Sequence, residues 1–168
     1  LSELPSVTFP DDGYWNLTIV VFDLANNSVS KSIVVYADAT PPTINVFTPS
    51  PYNTSKHINV TWSISDASGI SSVFVLLRND STVFLNVSVS DNSYLIDLSK
   101  LGLSEGIYEV VVLAIDSVGN RNSEVLIVVY DTTSPVVDVI QPAPDLHTNS
   151  TWLIVEWNSS DSLTGVHY

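Results

Sequence analysis

Apolar and polar residues alternate along much of this chain. The clearest run covers residues 57–65, where Ile58, Val60, Trp62 and Ile64 fall on one side and Asn, Thr and Ser residues on the other. A period of two is typical of a β-strand that buries one face. Turn residues bound further runs of this kind, and the segment 39–131 is predicted to contain seven strands, at 43–48, 57–65, 70–78, 82–89, 93–97, 106–116 and 123–130.

The pattern also predicts how two of these strands lie in the fold. Trp62 is the largest side chain on the apolar face of its strand and is expected at the centre of the core. In 106–116 both faces are largely apolar, which is typical of a strand in the middle of a sheet. Tyr108 follows Ser104-Glu105-Gly106-Ile107, and we expect its hydroxyl to pin the preceding loop.

The chain also repeats itself. Residues 13–23 can be laid over 106–116, and an Asn follows four residues after the last Asp of each, as Asn27 and Asn120. The match continues with 38–42 over 131–135 and ends with 62–66 over 157–161. The period is about 93–96 residues, the size of one small β-sandwich. We therefore expect the back part of one repeat at 1–38, a complete repeat at 39–131 and the front of a third at 132–168, all within a longer array.

Composition and charge narrow the possible functions. β-branched and aromatic residues, which favour strands, dominate the apolar set. Lys and Arg number 5 against 18 Asp and Glu, a formal charge of −13. Nucleic acid and anionic membranes, which bind clustered cations, are therefore not expected as partners. The chain has no cysteine and does not open like a signal peptide, and its apolar runs are too short to cross a bilayer.

Three motifs resemble a known family. They are Asp-x-Thr-x-Pro at 131–135, Trp-x-x-x-Asp-x-x-Gly at 62–69, and Glu-Gly-x-Tyr leading to Ala-x-Asp-x-x-Gly-Asn over 105–120. They are similar to tandem Ig-like repeats (bacterial or archaeal Ig-like, fibronectin-III-like) of prokaryotic cell-surface proteins, most of all archaeal S-layer and cell-envelope glycoproteins. The resemblance implies an all-β fold of tandem immunoglobulin-like β-sandwich domains. It is weak for function, because such modules serve as spacers, scaffolds and binders.

Eight Asn-x-Ser/Thr sequons are candidate sites for N-linked glycans, which need exposed positions. On a strand, the Asn and the Ser or Thr two residues later point to the same side. For Asn16, Asn59, Asn86 and Asn158 that side is predicted to face solvent, and the others fall in turns or junctions. The alternative is that these asparagines are ordinary polar surface residues without glycans. The eight residues are Asn16, Asn26, Asn53, Asn59, Asn79, Asn86, Asn149 and Asn158.

Acidic residues recur at the predicted junctions between repeats. In a sandwich of this connectivity, Asp66 and Asp116 with Asn120 are expected to approach the linker residue Asp38. Clustered oxygen ligands of this kind suit calcium. The alternative is that the carboxylates only accept hydrogen bonds from turn backbone, as Asp commonly does. The preceding repeat could add Glu3, Asp11 or Asp12, and the next junction is expected to repeat the site with Asp131, Asp161 and Glu105.

Catalytic motifs are scarce. His57, His147 and His167 are scattered and belong to no motif such as His-Glu-x-x-His. The sequence therefore predicts a non-catalytic, structural segment of an extracellular cell-surface assembly, either an S-layer lattice or a filament, with calcium as the one candidate cofactor. Its expected partners are copies of itself or other envelope proteins, together with N-linked glycans. The alternatives are an adhesin stalk or carbohydrate-binding module, or the passive spacer of a secreted hydrolase.

Overall fold

The computed structural model describes residues 6–49, 51–53 and 56–167, without the side chain of Asn53. Within these residues every regular element is a strand, apart from one 3₁₀ turn at Leu98–Lys100, and no helix is long and apolar enough to cross a membrane. The strands are β1 Gly13–Phe22, β2 Ser28–Ala37, β3 Thr43–Thr48, β4 Tyr52–Asn53, β5 His57–Ser65, β6 Ile70–Arg78, β7 Val83–Val89, β8 Ser93–Asp97, β9 Gly106–Asp116, β10 Arg121–Tyr130, β11 Val136–Gln141 and β12 Glu156–Ser160.

Strands β3 to β10 form one complete sandwich. One sheet has the order β3-β5-β8 and the other β4-β10-β9-β6-β7, and every pairing is antiparallel except that of β4 with β10. This is the strand order of an immunoglobulin-like or fibronectin-III-like sandwich. All seven predicted strands are present. The last begins at Arg121 instead of 123, because Arg121 and Asn122 continue the ladder with Ile115 and Ala114.

The core lies between these two sheets, as the alternation predicts. Trp62 is only 4% exposed, and Val60, Val75 and Val110 are fully buried around it. Strand β9 has β10 on one side and β6 on the other, so its position in the middle of the sheet is confirmed. The Tyr108 hydroxyl donates a 2.6 Å hydrogen bond to the carbonyl of Ser104, which confirms the predicted pin on the preceding loop.

The internal repeat is also a repeat of strand pairing. The β1–β2 hairpin pairs Gly13 with Ala37, as β9–β10 pairs Gly106 with Tyr130. The β11–β12 pair has an irregularity after Val139, where β3–β5 has one after Val46. Both hairpin turns also contain a residue of positive φ, Asn26 at 69° and Gly119 at 102°. Asn tolerates this conformation better than most residues, so it can replace the glycine.

One expected core position is exposed in this structure. Trp157 aligns with Trp62, yet its exposed fraction is 47%. The physical reason is the number of strands that surround it. Among the described residues β12 pairs only with β11, whereas the strand of Trp62 has a neighbour on each side, β3 and β8, and a second complete sheet covers its buried face.

Candidate functional site

Three carboxylates converge where the linker after β2 meets the central sandwich. Asp38 lies in that linker, Asp66 directly follows β5, and Asp116 ends β9. Each offers an oxygen, and these three oxygens all lie within 4.8 Å of one another. The topology produces this meeting, because the β5–β6 and β9–β10 loops leave the two sheets at the same end. We call these three residues the first-junction cluster.

Asp116 is the most deeply buried of the three, with an exposed fraction of 1%. Its Oδ1 accepts hydrogen bonds from the backbone N–H groups of Val118, Gly119 and Asn120 at 2.6–2.9 Å, and its Oδ2 accepts one from the Asn120 side chain at 2.7 Å. Burial raises the pKa of Asp116, but these hydrogen bonds outweigh it and leave the pKa below its usual value. At an exposed turn, Asp23 makes three of the four corresponding contacts, with the N–H groups of Ala25 and Asn27 and with the Asn27 side chain.

Asp66 and Asp38 have fewer partners. Asp66 Oδ1 accepts from the backbone N–H and the hydroxyl of Ser68, at 2.8 and 2.7 Å. Asp38 Oδ1 accepts from the backbone N–H of Thr40 at 3.1 Å. The other oxygen of Asp38, Oδ2, is fully buried and has no hydrogen-bond partner among the described residues.

The Asn120 side chain presents a donor to this site. Its Nδ2 lies 3.2 Å from the carbonyl oxygen of Asp38 and 3.4 Å from that of Thr40, besides its bond to Asp116. A cation needs an oxygen ligand. In this arrangement Asn120 ties the linker to the sandwich, and its role as a calcium ligand stays a prediction.

A second carboxylate holds each linker from the side of the preceding repeat. Asp12 accepts hydrogen bonds from the Ala39 N–H at 2.8 Å and from the Thr40 hydroxyl. The Thr40 hydroxyl and the Ala39 N–H lower the pKa of Asp12. We call this contact the first linker clamp. Of the other two acids expected here, Asp11 lies on the exposed turn beside it, and Glu3 is outside the described residues.

Glu105, which aligns with Asp12, forms the second linker clamp. Its Oε1 accepts from the Thr132 N–H at 2.8 Å and from the Thr132 hydroxyl, and its Oε2 accepts from the Thr133 hydroxyl at 2.7 Å. The hydroxyls of Thr132 and Thr133, followed by the Thr132 N–H, lower the pKa of Glu105. Sequence reasoning missed the threonines, although a Thr stands two residues after the Asp in both linkers.

The remaining two predicted ligands, Asp131 and Asp161, are joined by the hydroxyl group of Thr164. Asp131 is 5% exposed, and its Oδ2 accepts a 2.7 Å hydrogen bond from Thr164 Oγ1. The same hydroxyl lies 3.2 Å from Asp161 Oδ1, which also accepts from the N–H groups of Leu163, Thr164 and Gly165. Thr164 was not singled out from the sequence. It lies in a loop of Asp-Ser-Leu-Thr-Gly, where the first copy has the shorter Asp-Ala-Ser-Gly.

Most of the sequon asparagines are exposed, as a glycan requires. Asn79 is half-buried, and its Oδ1 accepts hydrogen bonds from the backbone of Ser81 and Thr82. The sequon at Asn53 falls largely outside the described residues. Glycosylation itself stays a prediction. The exposed asparagines are Asn16, Asn26, Asn59, Asn86, Asn149 and Asn158.

The three histidines lie in different parts of the chain. His57 opens β5, with Nε2 3.8 Å from Asp97 Oδ1. His147 lies in the exposed segment between β11 and β12, and His167 follows β12. His167 also lines a cleft of about 770 Å³ together with Asp131 and Asp161 at the second junction.

No family model and no curated protein matches the chain. Similar solved structures include fibronectin(III)-like modules of Clostridium thermocellum CbhA, at 20% identity over 74% of this chain and 65% of that one, with a TM-score of 0.43. A tetra-tandem repeat from the extending region of a large adhesion protein matches at 22% identity over 89% and 38%, with a TM-score of 0.45. A Ca2+-stabilized adhesin that helps an Antarctic bacterium reach out and bind ice matches at 18% identity over 80% and 36%, with a TM-score of 0.32.

The chain thus spans about a third to two thirds of the length of these solved chains. Its own strand order and repeated pairing define the fold. The protein is an all-β chain of tandem immunoglobulin-like β-sandwich type.

Proposed function

We propose that this chain is a structural, non-catalytic segment of an extracellular cell-surface array, with repeats at 1–38, 39–131 and 132–168. The observation that carries the proposal is the bonding of the first linker from both sides. Asp12 of the preceding repeat binds it at Ala39 and Thr40. From the central sandwich, Asn120 donates to the carbonyls of Asp38 and Thr40 and Asn122 donates to that of Pro42 at 2.8 Å. Such bonding suits a module that holds its neighbours at a constant angle.

The second linker supports the same proposal. Glu105 of the central repeat binds Thr132 and Thr133, while Thr164 of the following segment binds Asp131. Proline residues in both linkers further restrict the backbone. A protein whose function depended on freely moving domains would gain nothing from clamps at two successive junctions.

The more specific assignment is a lattice or filament subunit of an archaeal cell envelope. The chain is strongly acidic, with a formal charge of −13, which keeps densely packed surface proteins soluble. Exposed sequons on β1, β5, β7 and β12 favour a glycosylated exterior. Copies of this chain or other envelope proteins are the proposed partners.

The linker clamps provide a direct test. We expect the double variant Asp12→Ala/Glu105→Ala to lose its defined interdomain geometry, because each change removes all the clamp hydrogen bonds at one junction. Small-angle X-ray scattering of the full chain should show a broadened distance distribution and a larger maximum dimension. The melting temperature of the central sandwich should change by no more than about 4 °C, because both side chains lie outside its core.

A matched control is Asp11→Ala/Asp91→Ala, which removes two exposed carboxylates that belong to no clamp. Its scattering should equal that of the wild type. Identical scattering from the clamp variant and the wild type would show that the clamps do not set the junction angle, and the structural role would lose its main support.

The glycoprotein assignment makes a separate prediction. Asn59 and Asn86 lie on exposed strand faces, opposite Leu95 and Leu76 in the ladders. We expect both to carry glycans in native material, measured by mass spectrometry of intact glycopeptides. Ser88→Ala destroys only the sequon of Asn86 and should remove only that glycan. Unmodified peptides at both sites in the native protein would contradict the glycoprotein assignment.

A further inference from the structure

The outer face of the larger sheet carries a row of apolar side chains. Val110 and Val112 of β9 are buried in the core, so Val111 between them lies on the opposite side of the sheet. In the ladders Val111 stands beside Leu76 of β6 and Val125 of β10, which therefore share its face. Val125 is 45% exposed. Apolar residues grouped on an exposed face mark an interaction surface.

The rows on either side extend this surface. Leu113 pairs with Phe74, and both are half-buried on the same face. On the other side Ile127, which is 52% exposed, pairs with Glu109. Among the described residues of these three rows Glu109 is the one carboxylate, and it is bound to Arg78 at 2.6 Å. We call the apolar part of this surface the outer apolar face; it consists of Phe74, Leu76, Val111, Leu113, Val125 and Ile127.

The fold itself does not require apolar residues in the central row. The preceding repeat has Thr18 and Ser32 at the positions of Val111 and Val125. Their hydroxyl oxygens lie 2.8 Å apart and share a hydrogen bond. The same ladder position is thus polar in one copy and apolar in the other, so the apolar row has a reason particular to the central repeat.

A sequon asparagine stands at the end of the same row. Asn86 of β7 is exposed and pairs with Leu76, which makes it the fourth member of the row. Neighbouring strands lie about 4.8 Å apart, so roughly 14 Å separates Asn86 from Val125 across three strand spacings. A glycan of a few sugar units attached to Asn86 can extend over this distance.

We propose, on the basis of the glycoprotein assignment above, that an N-linked glycan on Asn86 folds back over the outer apolar face and shields it from solvent. Sugar rings present C–H groups on their faces and hydroxyls at their edges, so they can cover apolar side chains and still bind water. Ser88 and Ser123 stand at the two ends of the row of Phe74 and Leu113 and offer hydroxyls to the sugar. The glycan also stands between this face and any second protein molecule, so the attached sugar is the occupant and not another copy of the chain.

The test uses the absence of cysteine from the chain. Val125→Cys introduces a single thiol into the outer apolar face, and its reaction with a maleimide is followed in protein made in the native host, with and without Asn86→Gln. We expect the glycan to slow the reaction about tenfold, because covering one apolar side chain contributes about the free energy of a tenfold change in the exposed fraction. Asn59→Gln removes a sequon from the smaller sheet, and it should leave the slow rate unchanged.

Ser63→Cys is the matched control for the position of the thiol. Ser63 is exposed on the outer face of the smaller sheet, and a thiol there should react at the same rate with and without Asn86→Gln. Mass spectrometry of intact glycopeptides establishes the state of Asn86. Circular dichroism establishes that each variant is folded, and Ile127→Cys replaces Val125→Cys if the latter is not.

Equal rates for the Val125→Cys thiol with and without the Asn86 glycan would overturn the inference and leave the glycoprotein assignment intact. A slow reaction that persists in Asn86→Gln and becomes faster on dilution would show that a second copy covers the face, and would also overturn it. Unmodified Asn86 beside a glycosylated Asn59 would overturn this inference alone, whereas unmodified peptides at both sites would reject the glycoprotein assignment as well. The structural role is tested separately, by the scattering of the clamp variant.

Discussion

Replacing Trp62 with alanine is expected to unfold the central sandwich at temperatures where the wild type is folded. Trp62 is 4% exposed and packs between the two sheets with Val60, Val75 and Val110. Removing a large buried aromatic side chain costs about 3–5 kcal/mol, from lost burial and from the cavity that remains. A domain of this size has a free energy of unfolding of about 5–15 kcal/mol, so much of the stability would be lost.

The measurement is thermal or urea unfolding followed by circular dichroism. Trp152→Ala is the matched control, because it removes the same side chain from a position that is 69% exposed. It should leave the transition of the central sandwich unchanged. A Trp62→Ala protein with the melting temperature of the wild type would mean that Trp62 does not contribute to the core, and the strand register described above would be wrong.

Replacing Asp116 with alanine is expected to lower the melting temperature of the sandwich by roughly 10 °C. The carboxylate accepts three backbone N–H groups and the Asn120 amide, so the variant leaves three backbone donors of the β9–β10 turn without their acceptor and removes one of the acceptors of the Asn120 side chain. Measurement in chelator separates this effect from any bound cation. Asp116→Asn keeps one acceptor oxygen and should lose distinctly less.

Asp23→Ala is a close control for this prediction. Asp23 makes three of the four corresponding contacts with its turn, but on the exposed β1–β2 hairpin outside the central sandwich. The main transition should therefore stay within about 2 °C of the wild type. Equal losses in Asp23→Ala and Asp116→Ala would point to a general effect of charge removal and contradict the specific role of the buried turn.

Local features of this fold were predictable from the sequence. The strands and their buried faces follow from a period of two, which depends only on neighbouring residues. The Tyr108 pin and the Asp116 turn connect groups only four residues apart or less, so short motifs are enough to indicate them. Strand β4 was missed because two residues, Tyr52 and Asn53, are too few to show a pattern.

The junctions required the tertiary structure. Sequence reasoning brought Asp38, Asp66 and Asp116 together through the strand topology of a sandwich, and the structure places them so. It could not predict that Asp12 binds Thr40, that Thr164 binds Asp131, or that Asn120 presents its nitrogen. These contacts join residues 28 to 82 positions apart. Which groups bind each other here depends on how adjacent segments are placed relative to one another and on which polar groups lose contact with water on burial. Neither can be inferred from a local sequence pattern.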